Sequence, residues 1–359
     1  MDLLVKSPEV YRYLTVPHRS IVWPQVHAHL INANPHTESA LQAILKRGTP
    51  HLIKVEMEKH SSLLPCGPGL PSLQSGIRSE LPSMMPHDAQ RYTEAYFHTF
   101  NACRPILDYD AFSNDVVGKI LREGFVDGDP QSVLALLVFA LGQVAIEGLY
   151  SQPLFTRHRK TTGLRGGTQG EPPGIEMFNE ARRRLGPVLD AGTLENVQIL
   201  LLQAAYYETN CRHVDFWRST VAASMECQII IKCRHTDPST MIGDLTVRAY
   251  WTCVVNEELY HLDLDLPQTV IHTLQDETPL PHFRHTQISL QQEAAEVPFV
   301  QYHFLALITL RRLVVSITEV AHQCTSLRLL PFGGSMLTTS QPPRPMQRCL
   351  MSMGGPLTQ

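Results

Sequence analysis

The apolar positions of this chain recur mainly at intervals of three and four residues, which is the spacing of one face of an α-helix. Residues 88–103 show the pattern clearly, because the apolar residues from Tyr92 to Cys103 follow one another at four, four and three positions. The Arg104-Pro105 pair ends this predicted helix, since proline disfavours a helical conformation in the residue before it. Convincing strand alternation is absent from the sequence. The pattern therefore predicts an all-α fold, a multi-helix domain of packed helix pairs.

One segment of the sequence is apolar on nearly all sides rather than along one stripe. It runs from Ser132 to Leu149, and a helix of this kind is surrounded by protein. It is therefore the predicted centre of the core. Apolar stripes and helix-end signals predict further helices over 38–46, 52–60 and 175–190, after an N-cap at Thr193, after a cap at Asp215, from Asp237-Pro238 to about His261, and over 298–322.

Proline, glycine and serine divide the chain into three parts. They are concentrated in residues 65–86, which indicates a linker, so residues 1–86 are predicted to form a partly irregular N-terminal segment. Residues 87–322 are the predicted helical domain. From Pro331 onward the sequence has no periodicity, and residues 323–359 are predicted to be a disordered tail.

Composition narrows the class of protein. With 359 residues, of which 43% are hydrophobic, the chain can bury a sizeable core. Its net charge of -4 and pI near 6.5 argue against direct nucleic-acid binding, because a surface that neutralises phosphates is normally basic. Eight cysteines without a C-x-x-C pair form neither a disulfide framework nor a zinc module. The longest strongly apolar run, from Val133 to Leu141, is shorter than the roughly 20 residues that span a bilayer, so no membrane partner is expected.

The motifs that usually carry catalysis are missing. Glycines cluster between Gly163 and Gly170, but no Gly-Lys-Ser/Thr follows them, so they do not form a phosphate-binding loop. The sequence contains neither a Gly-x-Ser-x-Gly elbow nor a His-Glu-x-x-His pair. We therefore predict no catalytic residue and no cofactor, and we expect that the protein is not an enzyme.

Two groups of residues could supply zinc ligands. Cys227, Cys233 and His235 lie close in sequence, and His27 and His29 offer two imidazoles. Structural zinc takes four ligands, usually as two close pairs, and neither group supplies them. Cys227 also falls on a predicted helix, where cysteine usually acts as a small apolar residue. No metal site is predicted from either group.

A di-iron carboxylate site is the strongest enzymatic alternative. Such bundles use a Glu-x-x-His motif on each of two helices, and this chain has the pairs Glu258/His261 and Glu319/His322. With 20 glutamates and 17 histidines in 359 residues, about one such pair is expected by chance in a sequence of this composition. We interpret the four residues as solvated helix ends.

The aromatic residues Tyr250, Trp251 and Tyr260 allow two interpretations. They could form the walls of a ligand pocket, since such pockets are lined mainly by apolar and aromatic side chains. They could equally be core residues, because Trp251, Val255 and Leu259 follow helical spacing. Core packing is favoured for Trp251, although the two roles are compatible in a helical domain.

Several short phrases resemble, in their order and spacing, the regulatory middle homology region of fungal zinc-cluster transcription factors. In chain order they are Tyr96-Phe97-His98, Arg104 to Asp108, Ala140-Leu141-Gly142, Phe178 to Gly186, Arg248-Ala249-Tyr250-Trp251 and Leu264-Asp265-Leu266-Pro267. The six-cysteine cluster that contacts DNA in this family has no counterpart among the 359 residues, so the zinc ligands of the family map onto no position here.

The resemblance implies an all-helical regulatory domain that acts in transcription, in the nucleus. Its expected partners are proteins, namely a family member, a coactivator or a repressor, together with a possible small-molecule effector. DNA binding would be expected only if a zinc cluster preceded these residues. A helical metal-dependent enzyme and a non-catalytic helical scaffold remain the alternatives.

Overall fold

The fold was determined as a computed structural model. It describes residues 24–33, 48–51, 53–57, 84–150, 172–186, 188, 192–233, 237–264, 266–283 and 296–327. The described part is all-α and contains no β-strand. Its α-helices are α1 (Pro24–Ala33), α2 (Pro86–Cys103), α3 (Tyr109–Ala111), α4 (Gly118–Glu123), α5 (Pro130–Tyr150), α6 (Ile175–Arg184), α7 (Leu194–Thr209), α8 (His213–Cys233), α9 (Met241–Leu264) and α10 (Glu296–Leu327). A π-helix, Phe112–Val117, joins α3 to α4, and a 3₁₀-helix covers Ile271–Leu274.

Helix α5 forms the centre of the molecule, as its all-round apolarity predicts. Every residue from Val133 to Leu141 is at most 3% exposed. The helix packs against α2, α6 and α7 at the same time, so it has no face left for solvent over this stretch. Its segment Pro130–Glu147 is long and apolar enough to cross a membrane, but 67% of that segment is buried inside the protein, which is also the property of a core helix.

The other long helices pack against one another in pairs. α7 and α8 form the most extensive pair, joined by a short turn, and α9 packs against α8. Thr193 caps α7 as predicted, since its side chain accepts a hydrogen bond from the Asn196 N–H. The turn after α2 is held by Asn101, whose side chain both donates to the Leu107 carbonyl and accepts from the Leu107 N–H. This turn ends α2 at Cys103, where proline was expected to end it.

Two predicted helix caps are wrong. Asp215 lies inside the first turn of α8 and pairs with Arg212. The N–H groups of His213 and Val214 instead donate to the carboxylate of Glu56, which arrives from a distant part of the chain. Asp237 accepts from the Ser239 N–H in the turn before α9, and it is Thr240 that accepts from the Gly243 N–H at the start of that helix.

Several helix limits also differ from the sequence pattern. α6 ends at Arg184 rather than 190, and α10 continues to Leu327. Residues 53–57 of the predicted helix 52–60 are helical. The predicted helix 38–46, most of the linker and residues 328–359 lie outside the described residues. The division into an N-terminal segment, a helical domain and a tail stays a prediction.

Replacing Gly142 on α5 should destabilise the protein. A Cβ at this position would lie 2.7 Å from the Tyr92 carbonyl carbon and closer still to its oxygen, so α2 and α5 would be forced apart. We expect Gly142→Ala to lower the free energy of unfolding by about 1–3 kcal/mol, although alanine is the better helix former. Denaturant unfolding followed by circular dichroism measures this change.

Gly186→Ala is the control, because a Cβ there would have no neighbour within 4 Å. If both variants unfold at the same denaturant concentration as the wild type, the close approach of α2 and α5 is not a constraint on the fold.

Candidate functional site

Helices α2, α7 and α9 meet along an apolar cleft with a volume of ≈ 290 Å³. It is lined by Tyr96, Thr99, Phe100 and Cys103 of α2, Arg104 and Ile106 after it, Leu201, Leu202 and Ala205 of α7, and Thr252 of α9. Small-molecule sites in helical proteins typically lie between helices and have mostly apolar walls. The cleft is therefore the candidate ligand site of the described part of the chain.

The polar groups in the lining are already satisfied by neighbouring groups. The Thr99 hydroxyl donates to the Ala95 carbonyl, and the Thr252 hydroxyl donates to the Arg248 carbonyl, each within its own helix. Tyr96 is 1% exposed, and its pKa is raised far above the ordinary value because burial disfavours the phenolate. The walls therefore present methyl groups and aromatic carbon to a ligand.

An ion pair closes one edge of the cleft. The Arg104 guanidinium donates to both carboxylate oxygens of Glu208, one of them at 3.0 Å. The two side chains are 21% and 35% exposed. Because this bidentate pair neutralises both charges, the cleft offers no net charge to a ligand. The arrangement favours a neutral, largely apolar molecule.

The aromatic residues proposed as pocket walls are core residues instead. Tyr250 and Trp251 are 0% and 1% exposed, and neither lines the cleft. The Tyr250 hydroxyl donates to the Ile271 carbonyl, and the Trp251 indole N–H donates to the Pro279 carbonyl at 2.8 Å. Tyr260 is also buried, and its ring meets that of Phe216 edge-on. The core interpretation of Trp251 is confirmed.

The interpretation of Glu258 and His261 as solvated helix ends is wrong. They are 2% and 9% exposed. The reason is that residues 266–283 fold back along α9, with the Thr269 hydroxyl and N–H both donating to Glu257. This return segment covers the end of the helix, and the His261 Nδ1 lies 3.2 Å from the Leu266 carbonyl oxygen.

The residues considered as metal ligands are not brought together in the described part. The described part contains no group of three or more His, Cys, Asp or Glu side chains that could hold a metal ion. The side chains of Glu319 and His322 lie outside the described residues, as does His235. Cys227 is fully buried and Cys233 is exposed. Cys227 therefore behaves as the apolar core residue that its helical position suggested.

His27 and His29 lie on α1, one half-buried and one exposed, and no third ligand joins them within the described part of the chain.

Cys253 of α9 lies beside Cys227, and burial, reinforced by this neighbour, raises its pKa. A buried thiol with a raised pKa is protonated and unreactive. These cysteines contribute packing between α8 and α9.

A buried ion pair on α9 was not identified from the sequence. Asp244 and Arg248 are 2% and 1% exposed and bond to each other. Asp244 also accepts from the N–H groups of His282 and Phe283, and the Arg248 guanidinium lies 4.9 Å from the Phe283 ring. The pair fastens the return segment to α9. Its four-residue spacing on a predicted helix is the signal that could have found it.

The sequence contains no comparable signal from which the cleft could have been predicted. Its walls come from residues 96–106, 201–205 and 252, which only the packing of three helices brings together. No protein-family model, no curated protein and no solved structure matches the chain.

Two neighbouring alanines test whether the cleft is open. Ala205 lines it, whereas Ala204 is 0% exposed in the packed core. We expect Ala205→Leu to change the free energy of unfolding by no more than about 0.5 kcal/mol, since the added atoms have space. Ala204→Leu should cost about 1–3 kcal/mol by overpacking. Denaturant melts of the two variants measure the difference, and equal losses in both would mean that no open cleft exists.

Proposed function

We propose that the chain is a transcription-regulatory domain of the fungal zinc-cluster kind. It acts in the nucleus through protein partners, and a small molecule bound in the cleft between α2, α7 and α9 controls it. The observation that carries the proposal is the position of the family-like phrases: those at the end of α2 line this cleft and bond to α7, and others pack α6 on α7 and hold the return segment on α9.

The first of these junctions lies at the end of α2. Tyr96 and Ile106 both line the cleft, and the Ile106 carbonyl accepts a hydrogen bond from the Gln198 amide of α7 at 2.8 Å. Elsewhere on α7, Phe178 of α6 stacks on Tyr206 with ring centroids 3.9 Å apart. Phrases that are distant in sequence therefore meet on α7, which supports a shared architecture rather than scattered chance matches.

The second junction lies on α9. Arg248 and Trp251 each fasten the return segment, through Asp244 and through the Pro279 carbonyl respectively. Thr252, which directly follows Trp251 and lies one turn after Arg248, lines the cleft. The helix that holds the return segment is thus also a wall of the candidate ligand site, so a shift of α9 would move both.

In this proposal the ligand regulates the domain by changing the arrangement of its helices, and no catalytic step is involved. A neutral apolar ligand in the cleft contacts α2, α7 and α9 at once, and it favours the arrangement of these helices that fits it best. A ligand shifts a conformational equilibrium only as far as its affinities for the two states differ. The partner protein binds the surface of one arrangement, and no covalent bond is made or broken.

A di-iron enzyme is the alternative with one observation in its favour. Glu258 and His261 are buried, and the ligands of such sites point inward. The described residues bring no third ligand to them. Metal analysis of the purified protein separates the two hypotheses: stoichiometric iron that Glu258→Gln removes would favour the enzyme.

A reporter assay tests the proposed regulation. The full chain is fused to a foreign DNA-binding domain, and transcription is measured with and without a panel of neutral apolar metabolites. We expect the fusion to change reporter output relative to the DNA-binding domain alone, and one class of metabolite to alter that change.

The matched variants are Ala205→Trp, which fills the cleft, and Met225→Trp, which replaces a side chain 58% exposed on α8. The first should abolish the metabolite response and the second should keep it. An unchanged reporter under every condition would refute a regulatory role, and a response that survives Ala205→Trp would place the effector elsewhere.

A further inference from the structure

The cleft between α2, α7 and α9 contains a thiol that can react with a ligand. Cys103 is the last residue of α2, it lines the cleft, and it is exposed. The other groups in the lining that can act as nucleophiles are hydroxyls. Those of Thr99 and Thr252 donate to helix carbonyls, and burial, which raises the pKa of Tyr96, keeps its hydroxyl protonated. Among the lining residues, Cys103 therefore carries the nucleophile.

A hydrogen-bond donor for a ligand lies next to this thiol. Arg104 follows Cys103 in the chain and lines the same cleft. Its Nη1 and Nη2 atoms donate to Glu208, and a guanidinium has further N–H groups that can donate to a carbonyl oxygen. Burial acts to lower the pKa of Arg104, but the charges of Glu208 and, more weakly, of the ionised Cys103 sulfur raise it above its ordinary value. The guanidinium is therefore close enough to the sulfur for their charges to attract each other.

Its position in the cleft distinguishes Cys103 from the other described cysteines. Cys227 and Cys253 are buried, so a reagent in solution does not reach them. Cys211 and Cys233 are exposed, but neither lines the cleft. They show the reactivity of a thiol in water, whereas a ligand held by the apolar walls lies against Cys103 before it reacts.

We propose that the cleft captures small apolar ketones and aldehydes with a conjugated C=C bond, as covalent adducts of Cys103. The walls bind the apolar tail, the sulfur attacks the double bond, and Arg104 donates a hydrogen bond to the carbonyl oxygen. Reversible binding of a neutral apolar ligand makes no covalent bond, so this capture is an additional step that only ligands of this class undergo. It requires an open cleft and is independent of the proposed role in transcription.

The addition balances without a further reactant. The Cys103 thiolate, which is the nucleophilic form, forms a bond from its sulfur to the β-carbon of the conjugated carbonyl compound. The π electrons of the double bond move towards the carbonyl oxygen, where the N–H groups of Arg104 stabilise the enolate. The proton lost by the thiol, carried by water, ends on the α-carbon. The product is a thioether that retains the carbonyl group, and nothing is oxidised or reduced.

The size and the walls of the cleft set its selectivity. Its volume of ≈ 290 Å³ lies at the lower end of the range for small-molecule sites, so a compound with a short alkyl tail fits better than a drug-sized one. The apolar side chains of Phe100, Ile106 and Leu202 are among its walls. Since a reactant held in place reacts faster than one in solution, binding of the tail should accelerate the addition at Cys103.

Two vinyl ketones with the same reactive group test the capture. Pentyl vinyl ketone carries an apolar tail, and methyl vinyl ketone does not. The purified full chain is treated with each, and peptide-resolved mass spectrometry follows the adduct at every cysteine over time. At Cys103 we expect pentyl vinyl ketone to react about tenfold faster than methyl vinyl ketone, because its additional carbons are buried in the cleft. At Cys211 and Cys233 the two rates should be similar.

The controls separate capture by the cleft from the reactivity of any exposed thiol. Ethyl pentyl ketone, which lacks the double bond, should protect Cys103 but neither Cys211 nor Cys233. Cys103→Ser should lose the adduct at this position alone. Ala205→Trp, which fills the cleft, should remove the preference for the long tail, and Met225→Trp on α8 should keep it.

Equal rates of the two vinyl ketones at Cys103, or no protection by ethyl pentyl ketone, overturn the proposal. A preference for the long tail that survives Ala205→Trp overturns it equally. Circular dichroism checks that the variants fold, and protection of the wild type decides the matter if Ala205→Trp does not. Adduct formation is measured without a reporter, so its failure is distinct from a failure of the proposed regulation.

Discussion

The enclosure of α5 is the constraint on which the rest of the structure depends. Three helices contact it at once, and two glycines allow the close approach. Gly142 lets the backbone of α2 lie against α5, and Gly174, at φ +73°, starts α6 where a Cβ would lie 2.5 Å from the Ala140 carbonyl oxygen. Because α5 has no free face between Val133 and Leu141, α2, α6 and α7 surround it there, and the cleft lies where α2 and α7 meet α9.

The polar interactions have a different task from the apolar ones. Burying a charged pair costs about as much as it returns, so the contacts of Asp244 with Arg248 and with the return segment specify an arrangement more than they add stability. They hold residues 279–283 against one face of α9, while Thr252 on that helix reaches the cleft. A displacement of α9 would therefore move both the return segment and one wall of the cleft.

The features that the sequence predicts are those that depend on local pattern. The all-round apolarity from Ser132 to Leu149 identifies the core helix, and Thr193 caps α7 because its partner, the Asn196 N–H, is three residues away. Contacts between distant segments escape such a pattern. The cap of α8 comes from Glu56, and the end of α9 is buried by a segment that returns over it, so neither the cap nor the burial of Glu258 was predictable. The cleft was not predictable for the same reason, because its walls come from segments that are distant in the sequence.

Hydrogen–deuterium exchange, resolved by residue, tests most directly whether one enclosed helix organises the domain. If it does, the backbone amides from Val133 to Leu141 exchange last of all, at the rate of global unfolding, and those of α2 and α7 that face α5 exchange with them. Faster exchange in this stretch of α5 than in α8 or α10 would contradict the account, because the helix at the centre would then open before its surroundings.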